Sequence, residues 1–135
     1  MNKTTLILLW IAKITAALIM LQTLYFKFSA SPESVYIFNT VGLEPVGRIG
    51  IGVFELVASI LIIIPATAYL GAGLALGLMA GALGMHFTIL GIQVMNDGGQ
   101  LFTYALIVAI CSAFILWVER EKILNLVNKL LSKKA

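Results

Sequence analysis

Pro45-Val46-Gly47-Arg48-Ile49-Gly50-Ile51-Gly52-Val53-Phe54-Glu55-Leu56-Val57-Ala58-Ser59-Ile60-Leu61-Ile62-Ile63-Ile64-Pro65 is the stretch that decides the fold. About 20 mostly apolar residues, rising ~1.5 Å each, match a hydrocarbon core ~30 Å thick, so the stretch reads as a membrane-spanning helix. Two of its residues, Arg48 and Glu55, are ionisable. Such a group at the centre of a bilayer costs about 2.5–3.5 kcal/mol on insertion scales, and it normally faces the interior of the protein. At about 100° per residue, Arg48, Gly52, Glu55 and Ser59 fall in one narrow stripe, while the other faces are nearly all Ile, Leu and Val. A helix with one polar stripe and oily flanks belongs in a bundle, with the stripe turned inward.

The composition agrees. Of 135 residues, 61% are hydrophobic and 11% charged, where a soluble domain carries about 25% charged residues. With a mean hydropathy of +1.04, the chain falls in the membrane class, and its length allows one domain. The net charge of +3 comes largely from the last residues. Basic residues beside a membrane set topology or touch anionic lipid, and nothing here resembles a nucleic-acid surface. The single cysteine, Cys111, lies in an apolar run and reads as an inert small side chain; one cysteine forms no intrachain disulfide and no CxxC pair. The single histidine, His86, excludes bis-histidine haem ligation within one subunit, and no Cys/His cluster offers a metal site. No covalent cofactor is expected.

The chain reads as a four-span membrane bundle over 1–118, with spans at about 5–28, 46–65, 69–92 and 101–118, followed by a basic amphipathic tail over 119–135. The N-terminal apolar run is longer than a signal-peptide core and is expected to be a retained span. Lys13 and Lys27 share a face of span 1 with Ala17, Met20 and Leu24; Gln22 lies roughly opposite. Lys27 can snorkel to the interface, whereas Lys13, several turns in, fits a bundle contact as well as a functional role. Ser31-Pro32-Glu33 reads as a helix start, leading into a short interfacial helix that Gly42 ends. The connection 66–68 is short enough to make spans 2 and 3 an antiparallel hairpin. In span 3, Gly73, Gly77 and Gly81 repeat as small-xxx-small, so this face is expected to pack against a neighbouring helix. Asn96-Asp97-Gly98-Gly99 is a turn. In the tail, Ile123, Val127, Leu130 and Leu131 recur at helical spacing opposite Lys122, Asn125, Lys129 and Lys133, which suits a helix lying on an anionic leaflet or docking on a partner.

Lys3, Arg120, Lys122, Lys129, Lys133 and Lys134 collect at one side, Lys27 and Arg48 at the other. The first side is expected to be cytoplasmic, which places both termini inside a multi-pass protein of the cell membrane. Lys27, Arg48, His86 and Asp97 then sit near the outer ends of their spans, with Gln22 and Glu55 one or two turns deeper. These six are the candidate ligand-binding or proton-linked residues. Arg48 and Glu55, seven residues apart, lie about 10.5 Å apart along the axis. That leaves room for His86, water or a ligand, and one polar site built from Arg48, Glu55 and His86 is expected. The plainer reading is that Glu55 is neutralised by His86, Lys27 or Arg48 and fixes helix register. Met79, Met85 and Met95 are candidates to line a greasy pocket, or simple filler.

The string Gly47-Arg48-x-Gly50-x-x-x-x-Glu55, a proline-closed span, a Gly/Ala-rich helix reaching His86, and Asp97-Gly98-Gly99-x-Leu101-Phe102 together resemble the DoxX family, over about 6–120. The resemblance implies a small four-helix membrane protein. Relatives include the small subunits of a thiosulfate:quinone oxidoreductase, members that assemble with soluble redox enzymes, and a distant branch that acts in assembly of membrane proteins. The family has no universal catalytic motif to transfer, and the cysteine pair of some redox relatives is absent. Two readings stay open. One is a membrane subunit or binding protein, rather than a self-sufficient enzyme, that holds a quinone-type or other lipophilic molecule and works with a soluble or membrane redox partner. The other is a non-catalytic assembly or scaffold protein acting through helix packing and its tail, with lipid or further copies of itself as partners.

Overall fold

The computed structural model describes residues 1–134 and is all helical there. Its elements are α1 (Lys3–Phe28), α2 (Pro32–Thr40), α3 (Val46–Ile63), α4 (Ala68–Met85) with a π-helical turn (His86–Leu90), α5 (Gln100–Val118) and α6 (Arg120–Lys134). Ala135, the last residue of the expected tail, lies outside the described residues. Four helices are long and apolar enough to cross a membrane: α1, α3, α4 with its π-turn, and α5. No more than 33% of the most apolar window of any of them is buried inside the chain. Most of their apolar surface therefore faces outward, as suits a solvent of lipid tails.

Local chemistry sets the helix ends. Asn2 opens α1, its Oδ1 accepting from the Thr5 N–H at 2.8 Å. Ser31 opens α2 in the same way, with Pro32 in the first turn where its missing N–H is not needed. Pro65 follows the end of α3, and the Thr67 hydroxyl donates to the Leu61 carbonyl at 2.9 Å, closing the hairpin to α4.

The spans form a ring in which α1 packs on α3, α3 on α4, α4 on α5, and α5 back on α1. Its core is built of small side chains, Ala16, Ala58, Ala68, Ala72 and Ala75 among them, filled in by Met20, Ile62, Val108 and Ile115. One end of the ring carries the α3–α4 hairpin and the start of α6, where the Lys122 ammonium donates to the Pro65 carbonyl at 3.4 Å. The other carries the loop over 91–99 and α2, which packs against α1, α3 and the π-turn.

The glycine ladder does not act as expected. A Cβ on Gly73, Gly77 or Gly81 would meet nothing within 4 Å, so the ladder lays α4 against no neighbour within the chain. The close approach is at Gly71, where a Cβ would stand 2.7 Å from the Ile62 nitrogen and 2.8 Å from the Ala58 carbonyl oxygen of α3. Gly73 is two residues on, about 200° round the helix, and so begins the ladder on the outside of the ring.

Lys13 and Glu119 are both buried and pair at 3.7 Å, tying α1 to the junction of α5 and α6, with the Lys13 ammonium 4.5 Å from the centre of the Trp10 ring. Lys122 reaches the same carboxylate at 3.4 Å. Glu119 thus belongs to the interior of the bundle rather than to the tail.

Candidate functional site

The polar stripe of α3 faces inward: Arg48, Gly52, Glu55 and Ser59 are all buried. Glu55 is 3% exposed, and its partners come from α1. Its Oε1 lies 2.9 Å from the Lys27 ammonium and its Oε2 3.1 Å from the Thr23 hydroxyl. That hydroxyl is also 2.9 Å from the Met20 carbonyl, and its single proton serves one acceptor at a time. Thr23 and Lys27 are four residues apart, one turn of a helix, so both reach the same carboxylate from one face.

Arg48, seven residues before Glu55, does not join them. Its Nε donates to both carboxylate oxygens of Glu44, at 2.9 and 3.0 Å, and its Nη1 donates to the Lys27 carbonyl. A guanidinium on a carbonyl in the last turn of α1 also suits the negative end of that helix dipole. Arg48 therefore locks the start of α3 to the end of α1. His86 sits in the π-turn, its Nδ1 2.8 Å from the Gly91 carbonyl and its ring edge-on to Phe102 at 5.6 Å. Arg48, Glu55 and His86 do not form one directly bonded cluster, which corrects the expectation. The Lys27 side chain reached Glu55 first, because α1 is the neighbour on that face.

Glu55, Lys27, Thr23 and His86 do share something larger, a cavity of about 410 Å³ in the half of the ring away from the hairpin. That is within the range of small-molecule sites, about 300–1,000 Å³. All four spans and α2 contribute to its wall, which is mostly apolar: Met20 and Phe26 from α1, Phe38 from α2, Ile51 from α3, Met79 and Met85 from α4, Val108 from α5. Met95 is exposed in the loop and is not part of it. Gln22 lies on the wall, as do Glu33, Gln100 and Tyr104 toward the loop end. Gln100 donates to the Tyr104 hydroxyl at 2.9 Å. Burial, reinforced by nearby Asp97, pushes the Glu33 carboxyl above the usual range.

Asp97 is not on this wall. Its Oδ1 accepts from the N–H groups of Val94 at 3.1 Å and Gly99 at 2.8 Å, and its Oδ2 from Leu101 at 3.2 Å. Burial would raise its pKa, but these backbone donors outweigh that and hold it below the usual carboxylate range. The residue folds the loop, which corrects its candidacy for ligand binding. Among the described residues no group of three His, Cys, Asp or Glu could hold a metal ion.

Thr23, Glu33, Gln100 and Tyr104 were missed in the sequence. Thr23 carried a signal, its one-turn spacing from Lys27; the others are brought to the wall only by the tertiary fold.

Chemically, the site offers donors and acceptors in a greasy setting. A lysine ammonium has three protons, and one is directed at Glu55. The others are available to an acceptor in the cavity. No family model, no curated protein and no solved structure matches the chain.

Proposed function

We propose that the chain is a DoxX-like membrane protein that binds a quinone-type lipophilic molecule in the outer half of its bundle, as the membrane subunit of a redox system. The observation that carries this reading is the buried Glu55 carboxylate, paired with a half-buried Lys27, on the wall of a mostly apolar cavity large enough for such a molecule. A register pin needs the pair but not the space beside it. A quinone needs an apolar slot, a donor to each carbonyl oxygen, and groups that exchange protons. Lys27 supplies a donor, as does the Tyr104 hydroxyl, which accepts from Gln100 and keeps its own proton, and Glu55 supplies an exchangeable site. The electrons belong to a partner enzyme, soluble or membrane-bound.

In the same reading the hairpin end is cytoplasmic, and α6 lies on the inner leaflet. Leu124, Val127, Leu130 and Leu131 are exposed on it, while Lys122, Lys129 and Lys133 supply the basic face.

Equilibrium binding of a decyl-tailed benzoquinone to the purified chain in lipid nanodiscs tests the function. Saturable binding is expected, weakened at least tenfold in Glu55→Gln. Removing one partner of a buried pair can cost about 3–5 kcal/mol of stability, so the double variant Lys27→Met/Glu55→Leu, which leaves no orphan charge, is measured alongside. A folded wild-type chain that binds no quinone, or a folded double variant that binds it as well as the wild type, overturns the reading.

A further inference from the structure

Gly77 and Gly81 belong both to the wall of the cavity and to the exposed outside of the chain. A residue that is both marks a place where the cavity opens. Its position round the helix shows between which elements. Gly71 marks the side of α4 that lies against α3. Leu78 and Met85 follow at seven-residue intervals, within about 20–40° of Gly71, and Gly81 and Gly77 lie about 80° and 120° from it in the same sense. At Gly71 this side touches the α3 backbone; at Leu78, Gly81 and Met85 it lines the cavity. The two helices thus meet at the hairpin and part above it, and the positions beside the gap carry no side chain to close it.

The inner surfaces of the cavity differ in chemistry. Toward the loop end stand Glu33, Gln100 and Tyr104; on α4 the wall beside the two glycines is apolar, with Leu78, Ala82 and Met85, and α3 adds Ile51. Between them lies His86, 6% exposed. Because its Nδ1 meets a carbonyl oxygen, that nitrogen carries the proton, and in the neutral ring Nε2 is left as an acceptor. No protein donor meets that Nε2 among the described residues. From the level of Gly77 to that of His86 is nine residues, about 13 Å along α4.

We propose that the cavity opens sideways into the bilayer between α3 and α4, through the gap left by Gly77 and Gly81, and that its ligand is a single-tailed amphiphile whose apolar chain leaves by that gap. The head carries both acceptors and a donor. Its acceptors accept hydrogen bonds from Lys27, and a hydroxyl, present in the quinol form, donates to His86 Nε2. A quinol–quinone couple has that character, in keeping with the proposed function on which this inference rests. The ligand reaches the site from the membrane without crossing water, and the glycines keep the tail's exit open.

Two double variants test it in nanodiscs: Gly77→Leu/Gly81→Leu, which fills the gap, and Gly73→Leu/Gly84→Leu, which adds the same bulk at two positions off the cavity wall. None of the four positions has an atom within 4 Å of its would-be Cβ, so both variants are expected to fold and melt like the wild type. The probes are a decyl-tailed benzoquinol, kept reduced, and the same head without its tail. The gap-filling variant is expected to lose at least tenfold in affinity for the tailed probe and to hold the tail-less one within about threefold; the other variant keeps both. Equal loss in both variants, or no loss in the first, overturns the lateral gap while leaving the cavity as a quinone site. A folded wild type that binds neither probe overturns the proposed function itself, and this inference with it.

Discussion

Asp97 shows what one side chain can do and why a sequence does not reveal it. The turn at Asn96-Asp97-Gly98-Gly99 was legible, and the structure places Met95, Asn96, Gly98 and Gly99 at positive φ, between 51° and 87°. What the sequence did not show is that three backbone N–H groups converge on the carboxylate, which turns a candidate ligand group into the fastening of the loop. Those donors favour the ionised form, so the folded pKa lies below the unfolded value of about 3.9. A group shifted this way stabilises the fold above its unfolded pKa, and that contribution is lost as pH falls through the lower, folded value. Hydrogen exchange of the Gly99 and Leu101 amides is therefore expected to accelerate on acidification below about pH 4, beyond the intrinsic change in exchange chemistry. In Asp97→Asn the loop should open more at neutral pH and show no such acid limb. An unchanged acid limb in that variant would mean that another group controls the loop.

Among elements, the long apolar helices were the easiest to read, because spans of 18 or more residues with few charges leave little else to form. The stripe of α3 was legible too, since the penalty for a lipid-facing Glu55 fixes which way the helix turns. Its partner was not: Lys27 reaches Glu55 because α1 is the neighbour on that side, a fact of the ring order. Lys13 and Glu119, 106 residues apart, meet for the same reason. The glycines of α4 make the clearest case. A four-residue repeat says that small residues recur, but not which neighbour they face, and the contact fell to Gly71, outside the repeat. Gly71→Ala would push a methyl group into the Ile62 nitrogen and the Ala58 carbonyl, backbone atoms that cannot swing aside. We expect a loss of about 1–3 kcal/mol, the usual cost of overpacking, read as a lower melting temperature in detergent. Gly81→Ala should melt unchanged or slightly higher, since alanine favours the helix. If Gly81→Ala destabilises as much as Gly71→Ala, a further chain packs on the ladder.

For the molecule as a whole, the structure changes how the charges are weighed. By simple count, two basic residues, Lys27 and Arg48, oppose the six at the other end. Both are spoken for: Lys27 is held by Glu55 at 2.9 Å and Arg48 by Glu44 at 2.9 Å, each largely withdrawn from the surface. At the hairpin end Lys3, Arg120, Lys129 and Lys133 are exposed and in no ion pair, while the exposed Lys122 and the buried Lys13 share the Glu119 carboxylate. Among the described residues, free positive charge is therefore confined to one end of the ring, and positive charge is retained on the cytoplasmic side of a membrane. The cavity's polar groups stand at the opposite end, where they would meet the outer leaflet. In a Cys111→Ser background, Asn96→Cys should react with a membrane-impermeant maleimide in intact cells, and Ser132→Cys only after the membrane is opened. Both positions are exposed in the fold, so a failure to react reports the membrane rather than burial. The reverse pattern would put the hairpin outside and the cavity at the inner leaflet. The site and its lateral gap would keep their chemistry, but the ligand's head would then lie toward the cytoplasm, and the redox partner would have to be sought there.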